Sequence, residues 1–341
     1  MKQSMISGRL LALVAAAVLG TFVHAAAVLA EEAVSADQAI EFVRSGIPHD
    51  ALFALDMSGE KGMAVGNFGL MLETTDGGQT WNTLPAKTPL ALLGVQFAGE
   101  RSIAVGQQGL VLTRSGTGEW QKVESGLTQR LLNVGMNEQG LAVAVGEFGF
   151  VARSRDHGAT WEATPIDWAA YNEEGYEPHL YDALVTSEGA VMICGEFGLI
   201  LRSDDGGGTW RAVNRGDESV FALQLATDGS NTGYAVGQEG MVARTTDAGL
   251  TWTKVEVPSD ANLLGVWSGN SEVVAVGIRQ LLRSSDDGAT FTGTDDLNVV
   301  RTWYQGVAAG VSEAKAGEKG FLRQQSVYIV GHRGTISRVV K

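Results

Sequence analysis

A single cysteine, Cys194, occurs in 341 residues. The protein therefore has no intramolecular disulfide to draw on, and its stability must come from packing and hydrogen bonds. Cys194 occupies a slot that is valine in sister segments, which reads as a small buried strand residue. Proline is scarce as well, 6 against 45 glycines. Glycine alone takes positive φ without steric cost, so this balance suits an all-β protein with many tight turns. Basic residues are outnumbered, 25 to 39, for a net charge of −14. That argues against a nucleic-acid partner, whose footprint is a basic surface. The five histidines, at 24, 49, 157, 179 and 332, fall at no metal-ligand spacing. Ser203-Asp204-Asp205-Gly206 lacks the alternating ligand set of a calcium loop. No metal and no cofactor are expected, and no catalytic constellation stands out.

Long apolar runs are absent except at the start. Lys2 and Arg9 supply a basic region, Leu10 to Gly20 an apolar one, and Val28-Leu29-Ala30 a small-residue cleavage site before Glu31. Gly20, Thr21 and His24 interrupt the run, which favours a cleaved signal over a spanning helix. Residues 1–30 are thus expected to be a secretory signal peptide and 31–38 a mobile lead. Residues 39–341 are expected to form a single domain. The mature protein should be exported to the periplasm (to the thylakoid lumen if the source is photosynthetic) and act as a monomer.

What is abundant is repetition. AVGEFGFVARSRDHGATW, from Ala144 to Trp161, has sisters at Ala64, Ile193 and Ala235, with worn copies at Ala104, Ala275 and Ile329. The period is about 40 residues, the signature of a repeat architecture. One unit reads as four short strands separated by Gly and Asp turns, a propeller blade. The glycines opening the second turn, Gly66, Gly106, Gly146, Gly195, Gly237, Gly277 and Gly331, count seven blades. The last unit ends without its outer strand, and Ile40 to Arg44 resembles one. The expectation is a seven-bladed β-propeller of four-stranded antiparallel blades, closed by the N-terminal strand completing the last blade. Two connections are long. Pro165 to Asp182 should lie on the face of the Gly-x-x-Gly turns, and Gly310 to Gln325 on the opposite face.

The most specific motif is the hairpin Ser154-x-Asp156-x-Gly158-x-Thr160-Trp161. It recurs with Asp76 and Trp81, Asp205 and Trp210, Asp247 and Trp252, and with Asp286 followed by Phe291. It resembles the Asp-box, or BNR, repeat. Its physics is structural: the carboxylate accepts turn N–H groups, glycine supplies the dihedral, and the ring staples the hairpin to its sheet. The combination with AVG-x-x-G resembles the photosystem II stability and assembly factor family and its non-photosynthetic bacterial relatives, over nearly the whole mature sequence. The resemblance implies a seven-bladed, lumenal or periplasmic, non-enzymatic assembly factor that binds a membrane-protein client, with an arginine-rich patch associated with binding.

Candidate partner-binding residues follow. Arg153, Arg202, Arg244, Arg283 and Arg338 share one blade position, either as a client surface or as a bridge between repeats. Glu147, Phe148, Glu196 and Phe197 lie in the Gly-x-x-Gly turns, where exposed aromatics would mark an interface and packed ones would not. Trp168, Tyr171, Tyr176 and Tyr181 lie in the long connection, which either meets a partner or packs on itself. The expected function is an exported non-enzymatic scaffold that binds a membrane or envelope protein complex through a propeller face. The alternative is a glycan-binding or glycan-cleaving propeller, because Asp-boxes also decorate sialidases. Against it, Arg44-Ser45-Gly46-Ile47-Pro48 is not the Arg-Ile-Pro motif of those enzymes.

Overall fold

The computed structural model describes residues 38–171, 175–226, 229–312 and 324–340. The signal segment and nearly all of the lead fall outside these residues. From Ala39 onward the protein forms seven consecutive antiparallel sheets. The third is typical, with strands Leu131–Met136, Ala142–Gly146, Val151–Ser154 and Glu162–Ala163. Six sheets have four strands. The sixth has three, with one bridge between Arg283 and Thr292 in place of the outer strand. There the backbone turns into the short helix Leu297–Val300, whose first turn is capped by Asp296.

The ring closes as the truncated last repeat requires. Ile40–Arg44 pairs antiparallel with Ile336–Val339, Ile40 opposite Val339 and Glu41 opposite Arg338. Asp296 reinforces the closure by accepting the Ala39 N–H at 2.9 Å. In the same sheet, residues 313–323 of the second long connection lie outside the described residues. The strands they join, Tyr304–Ser312 and Gln324–Gly331, pair along their whole length.

The repeated Ala-Val-Gly triplet packs the blades together. In the third sheet Val143 and Val145 face Leu180, Val191 and Ile193 of the fourth. Ala142 and Ala144 face the other way, against Ile103, Val105 and Val111 of the second. Strand alternation thus sends successive residues of one strand into the layers on either side of its blade, the alanines meeting bulky residues of the second blade and the valines bulky residues of the fourth. Full burial of each such valine contributes about 1.5–3 kcal/mol. Cys194 lies fully buried in the next such layer.

The inner strands share an irregularity. In all seven sheets the register with the second strand shifts just after the first residue, between Leu52 and Ala54 in the first and between Leu180 and Asp182 in the fourth. One residue per blade is therefore left out of the ladder: Phe53, Leu93, Leu132, Tyr181, Phe221, Leu264 and Gln305. A bulge of this kind re-aims the side chain of the extra residue. All seven line a central cavity of about 910 Å³.

Inside this cavity, side chains of one inner strand satisfy backbone groups of the next. Asp56 accepts the Phe97 N–H at 2.7 Å, Asp182 the Leu223 N–H at 2.8 Å, and Gln224 the Ser268 N–H at 3.0 Å. Burial pushes the Asp56 and Asp182 carboxyls up to about 6, against the pull of these donors.

Candidate functional site: the face of the Gly-x-x-Gly turns

Five blades have two conspicuous turns, at opposite ends of the third strand; the second and seventh lack the Asp-box. The Asp-box turn is closed on itself. In the third blade Asp156 Oδ1 accepts from the Ser154 hydroxyl at 2.7 Å and the Thr160 N–H at 2.8 Å, while Oδ2 accepts from the Thr160 hydroxyl at 2.6 Å. Trp161 Nε1 donates to the Gly158 carbonyl at 2.9 Å. The carboxylate set repeats at Asp76, Asp205, Asp247 and Asp286. Hydrogen bonds from Thr251 to Asp247 and from Thr290 to Asp286 hold those carboxyls down at about 2. Trp81, Trp161, Trp210 and Trp252 pack against the inter-blade layers, and Phe291 is buried in one. These residues are structural, as their chemistry suggests.

The Gly-x-x-Gly turn divides its work between its two middle residues. The first is half-buried in six blades, Ile278 in the sixth being 45 % exposed. The N–H of this first residue donates to the carbonyl preceding the inner strand in every blade, as Glu147 does to Arg130 and Glu196 to His179. Polar side groups at this position cap the same junction: Asn67 accepts the Ala51 N–H at 2.9 Å, and Glu196 the His179 N–H at 2.8 Å. Glu147 pairs with Arg130 at 3.2 Å. The opening glycine permits this contact, since a Cβ on Gly146 would stand 2.1 Å from the Arg130 carbonyl oxygen.

The second middle residue faces out, in the left-handed region. The seven are Phe68, Gln108, Phe148, Phe197, Glu239, Arg279 and Arg333, with φ between 52° and 61°. All are exposed. Phe68 is 69 % exposed, Phe148 66 % and Phe197 47 %. A bulky residue at positive φ costs about 1 kcal/mol or more, and such strain collects where function holds it. Arg279 and Arg333 in this slot escaped sequence reading because their turns lack the Glu-Phe spelling.

The arginine row lies between blades. Arg153 donates to the Gly206 carbonyl at 3.3 Å and Arg202 to the Ala248 carbonyl at 2.6 Å, both in the Asp-box turn of the following blade. Arg153 also pairs with Glu162 of its own outer strand, and Arg202 with Asp204. Arg244 stands opposite Tyr234 on the neighbouring strand of its own blade, and the Tyr234 hydroxyl donates to the Asp287 carbonyl of the next blade at 2.6 Å. Arg283 pairs with Glu272 at 2.9 Å and bonds the Val340 carbonyl, and Arg338 pairs with Glu41 of the closing strand. In the first two blades, Glu73 and Arg114 pair with each other at 2.6 Å. Arg153, Arg202 and Arg283 thus reach across to the following blade, whereas the Arg338 pair lies within the closing sheet.

The long connection is knitted onto the third and fourth blades. Trp168, in the turn of helix Trp168–Ala170, is 6 % exposed and sits in the layer between these blades. Tyr171 donates its hydroxyl to the Trp210 carbonyl at 2.8 Å, and Arg215 donates to the Tyr171 carbonyl at 2.7 Å. The expectation that Trp168 meets a partner is corrected here: its ring fills the layer between the two blades, while Tyr171 is half-buried against that layer. The Pro178 carbonyl accepts the Gly149 N–H at 2.7 Å, and His179 Nδ1 accepts the Phe148 N–H at 3.1 Å. The connection therefore lies on the Gly-x-x-Gly face, as its place in the strand order requires. Tyr176 is exposed on it, whereas Tyr181 lines the central cavity. Residues 172–174 lie outside the described residues.

Among the described residues no group of His, Cys, Asp and Glu side chains is placed to hold a metal, and no helix is long and apolar enough to cross a membrane. The molecule is thus an Asp-box β-propeller whose internally bonded turns and strained, exposed turns lie at opposite ends of the blades. Its sequence matches the family model described as photosynthesis system II assembly factor YCF48 over residues 30–169 and 167–320, and the protein belongs to that family. No curated protein matches it. Among solved structures it is similar to YCF48 bound to D1 peptide, with 18 % identity and a TM-score of 0.65 over 89 % of this protein and 96 % of that one. YCF48 from Cyanidioschyzon merolae is similar at 19 % identity and a TM-score of 0.67, over 89 % and 98 %. A GH74 xyloglucanase from Xanthomonas campestris shares the fold at 14 % identity and a TM-score of 0.64, over 89 % of this protein and 54 % of that one. At these identities the likenesses speak for the fold alone.

Proposed function

We propose that this protein is an exported, non-enzymatic assembly factor that binds a membrane or envelope protein through its Gly-x-x-Gly face. The observation that carries the reading is the exposure of Phe68, Phe148 and Phe197 at positive φ, on turns whose first middle residue is bonded inward. Exposed aromatics on a rigid scaffold anchor protein partners. Family membership supports the same reading, as does a solved relative described as bound to a D1 peptide. Export rests on the basic and apolar residues of the first thirty positions.

The test is affinity capture from the native envelope with the mature protein as bait. A membrane protein should be recovered reproducibly, and the double variant Phe148→Ser, Phe197→Ser should lose at least about 90 % of it while keeping the wild-type melting curve. Equal recovery by the variant would sink the proposal. The glycan-active alternative has the xyloglucanase fold likeness behind it. It predicts turnover of aryl glycosides or binding of xyloglucan oligosaccharides, and silence on both retires it.

A further inference from the structure

The seven bulged residues form a collar one residue inside the Gly-x-x-Gly face, and six of them are apolar or aromatic. Gln305 is the exception. Two aromatic pairs stand across the ring from one another. Phe221 meets Tyr181 edge-on with centroids 5.1 Å apart, and Phe53 stacks on Trp303 at 6.2 Å. Asp56 and Asp182 line the cavity behind the collar, Glu138 and Glu188 stand in the turns at its far mouth, and among the described residues no lysine, arginine or histidine lines it.

We propose that this mouth receives a lysine or arginine residue borne on an apolar segment of the partner. Aromatic faces and carboxylates both attract a cation, and a partially desolvated site strengthens the attraction. An anion, such as a C-terminal carboxylate, meets repulsion at the same place. A sugar would need open hydrogen-bonding positions, yet Asp56 and Asp182 already accept the backbone and amide donors of neighbouring blades. The apolar collar covers the stem of the cationic residue, as long charged residues prefer. This inference rests on the reading that the partner arrives at the Gly-x-x-Gly face.

Three fluorescein-labelled nonapeptides test it, identical except for arginine, norleucine or glutamate at the centre of a leucine-rich stretch. They are titrated against the full mature protein by anisotropy. The arginine peptide should bind about tenfold more tightly than the norleucine peptide, and the glutamate peptide more weakly than either. Phe221→Ala should remove most of that tenfold. Gln305→Arg, a change directed into the cavity, should reverse the order of the arginine and glutamate peptides and gives a second readout independent of Phe221. Equal binding of the three peptides, binding of none, or displacement of the arginine peptide by a xyloglucan oligosaccharide would overturn the proposal. Should wild type and Gln305→Arg capture the native client equally, this inference fails alone. Should wild type capture none, the reading beneath it fails.

Discussion

In the five blades that carry an Asp-box, the two turns use the same raw material, glycine and a left-handed residue, to opposite ends. In the Asp-box turn the left-handed positions are His157 and Gly158 in the third blade, and every polar group of the motif finds a partner within the hairpin. In the Gly-x-x-Gly turn the left-handed residue is Phe148, two-thirds exposed, and its ring meets that of His179 in the long connection edge-on at 4.9 Å. One turn relieves its strain locally, whereas the other holds strain against a solvated aromatic ring. Repetition marks both. Both vary their left-handed residue from blade to blade, but only the second places large aromatic rings there, at Phe68, Phe148 and Phe197.

Breaking the ring-building half should have the largest effect. Gly146→Ala places a methyl against the Arg130 carbonyl and should destabilise the protein by about 3 kcal/mol, read as a lowered urea midpoint. Asp76→Ala removes the acceptor for the Thr74 and Thr80 groups and should cost about 1–2 kcal/mol in the same measurement.

The acid dependence sharpens the contrast further. Asp56 and Asp182 titrate in the folded state at about 6, above their unfolded value, so the folded state binds more protons between about 4 and 6. Stability should rise as pH falls from 7.5 to 5. The Asp-box carboxyls are lowered instead, Asp247 and Asp286 to about 2, so stability should fall again below about pH 4. Urea unfolding at pH 7.5, 5 and 3 checks the maximum, and a monotonic loss from 7.5 downward would contradict it.

The smallest stability effect belongs to the other turn. Phe148→Gly relieves the positive φ but loosens the unfolded state, so its midpoint should stay within about 0.5 kcal/mol of wild type while client capture falls.

Much of this is legible in the residues alone. The closing strand is readable because the last repeat lacks its outer strand while Ile40 to Arg44 matches one. The Asp-box is readable because its partners are two to four residues apart and need no tertiary knowledge. The arginine row is half legible. Its blade position is plain in the sequence, but the carbonyl that Arg202 meets, at Ala248, lies 46 residues away and only the ring brings them together. Trp168 is misplaced by sequence because an aromatic-rich insertion has the same composition whether it faces a partner or its own scaffold. The collar leaves a fainter trace. Apolar doublets such as Leu52-Phe53, Leu131-Leu132 and Val220-Phe221 break the strict alternation of a half-buried strand, and a broken alternation is the mark of a bulge.

Photo-crosslinking tests the central claim most directly. Benzoylphenylalanine replaces either Phe148, at the tip of a Gly-x-x-Gly turn, or Gln79, exposed in an Asp-box turn, and native envelopes are irradiated. A crosslink to one membrane protein from position 148 and none from position 79 is the predicted result. Crosslinks to that protein from position 79 and none from 148 would contradict the account.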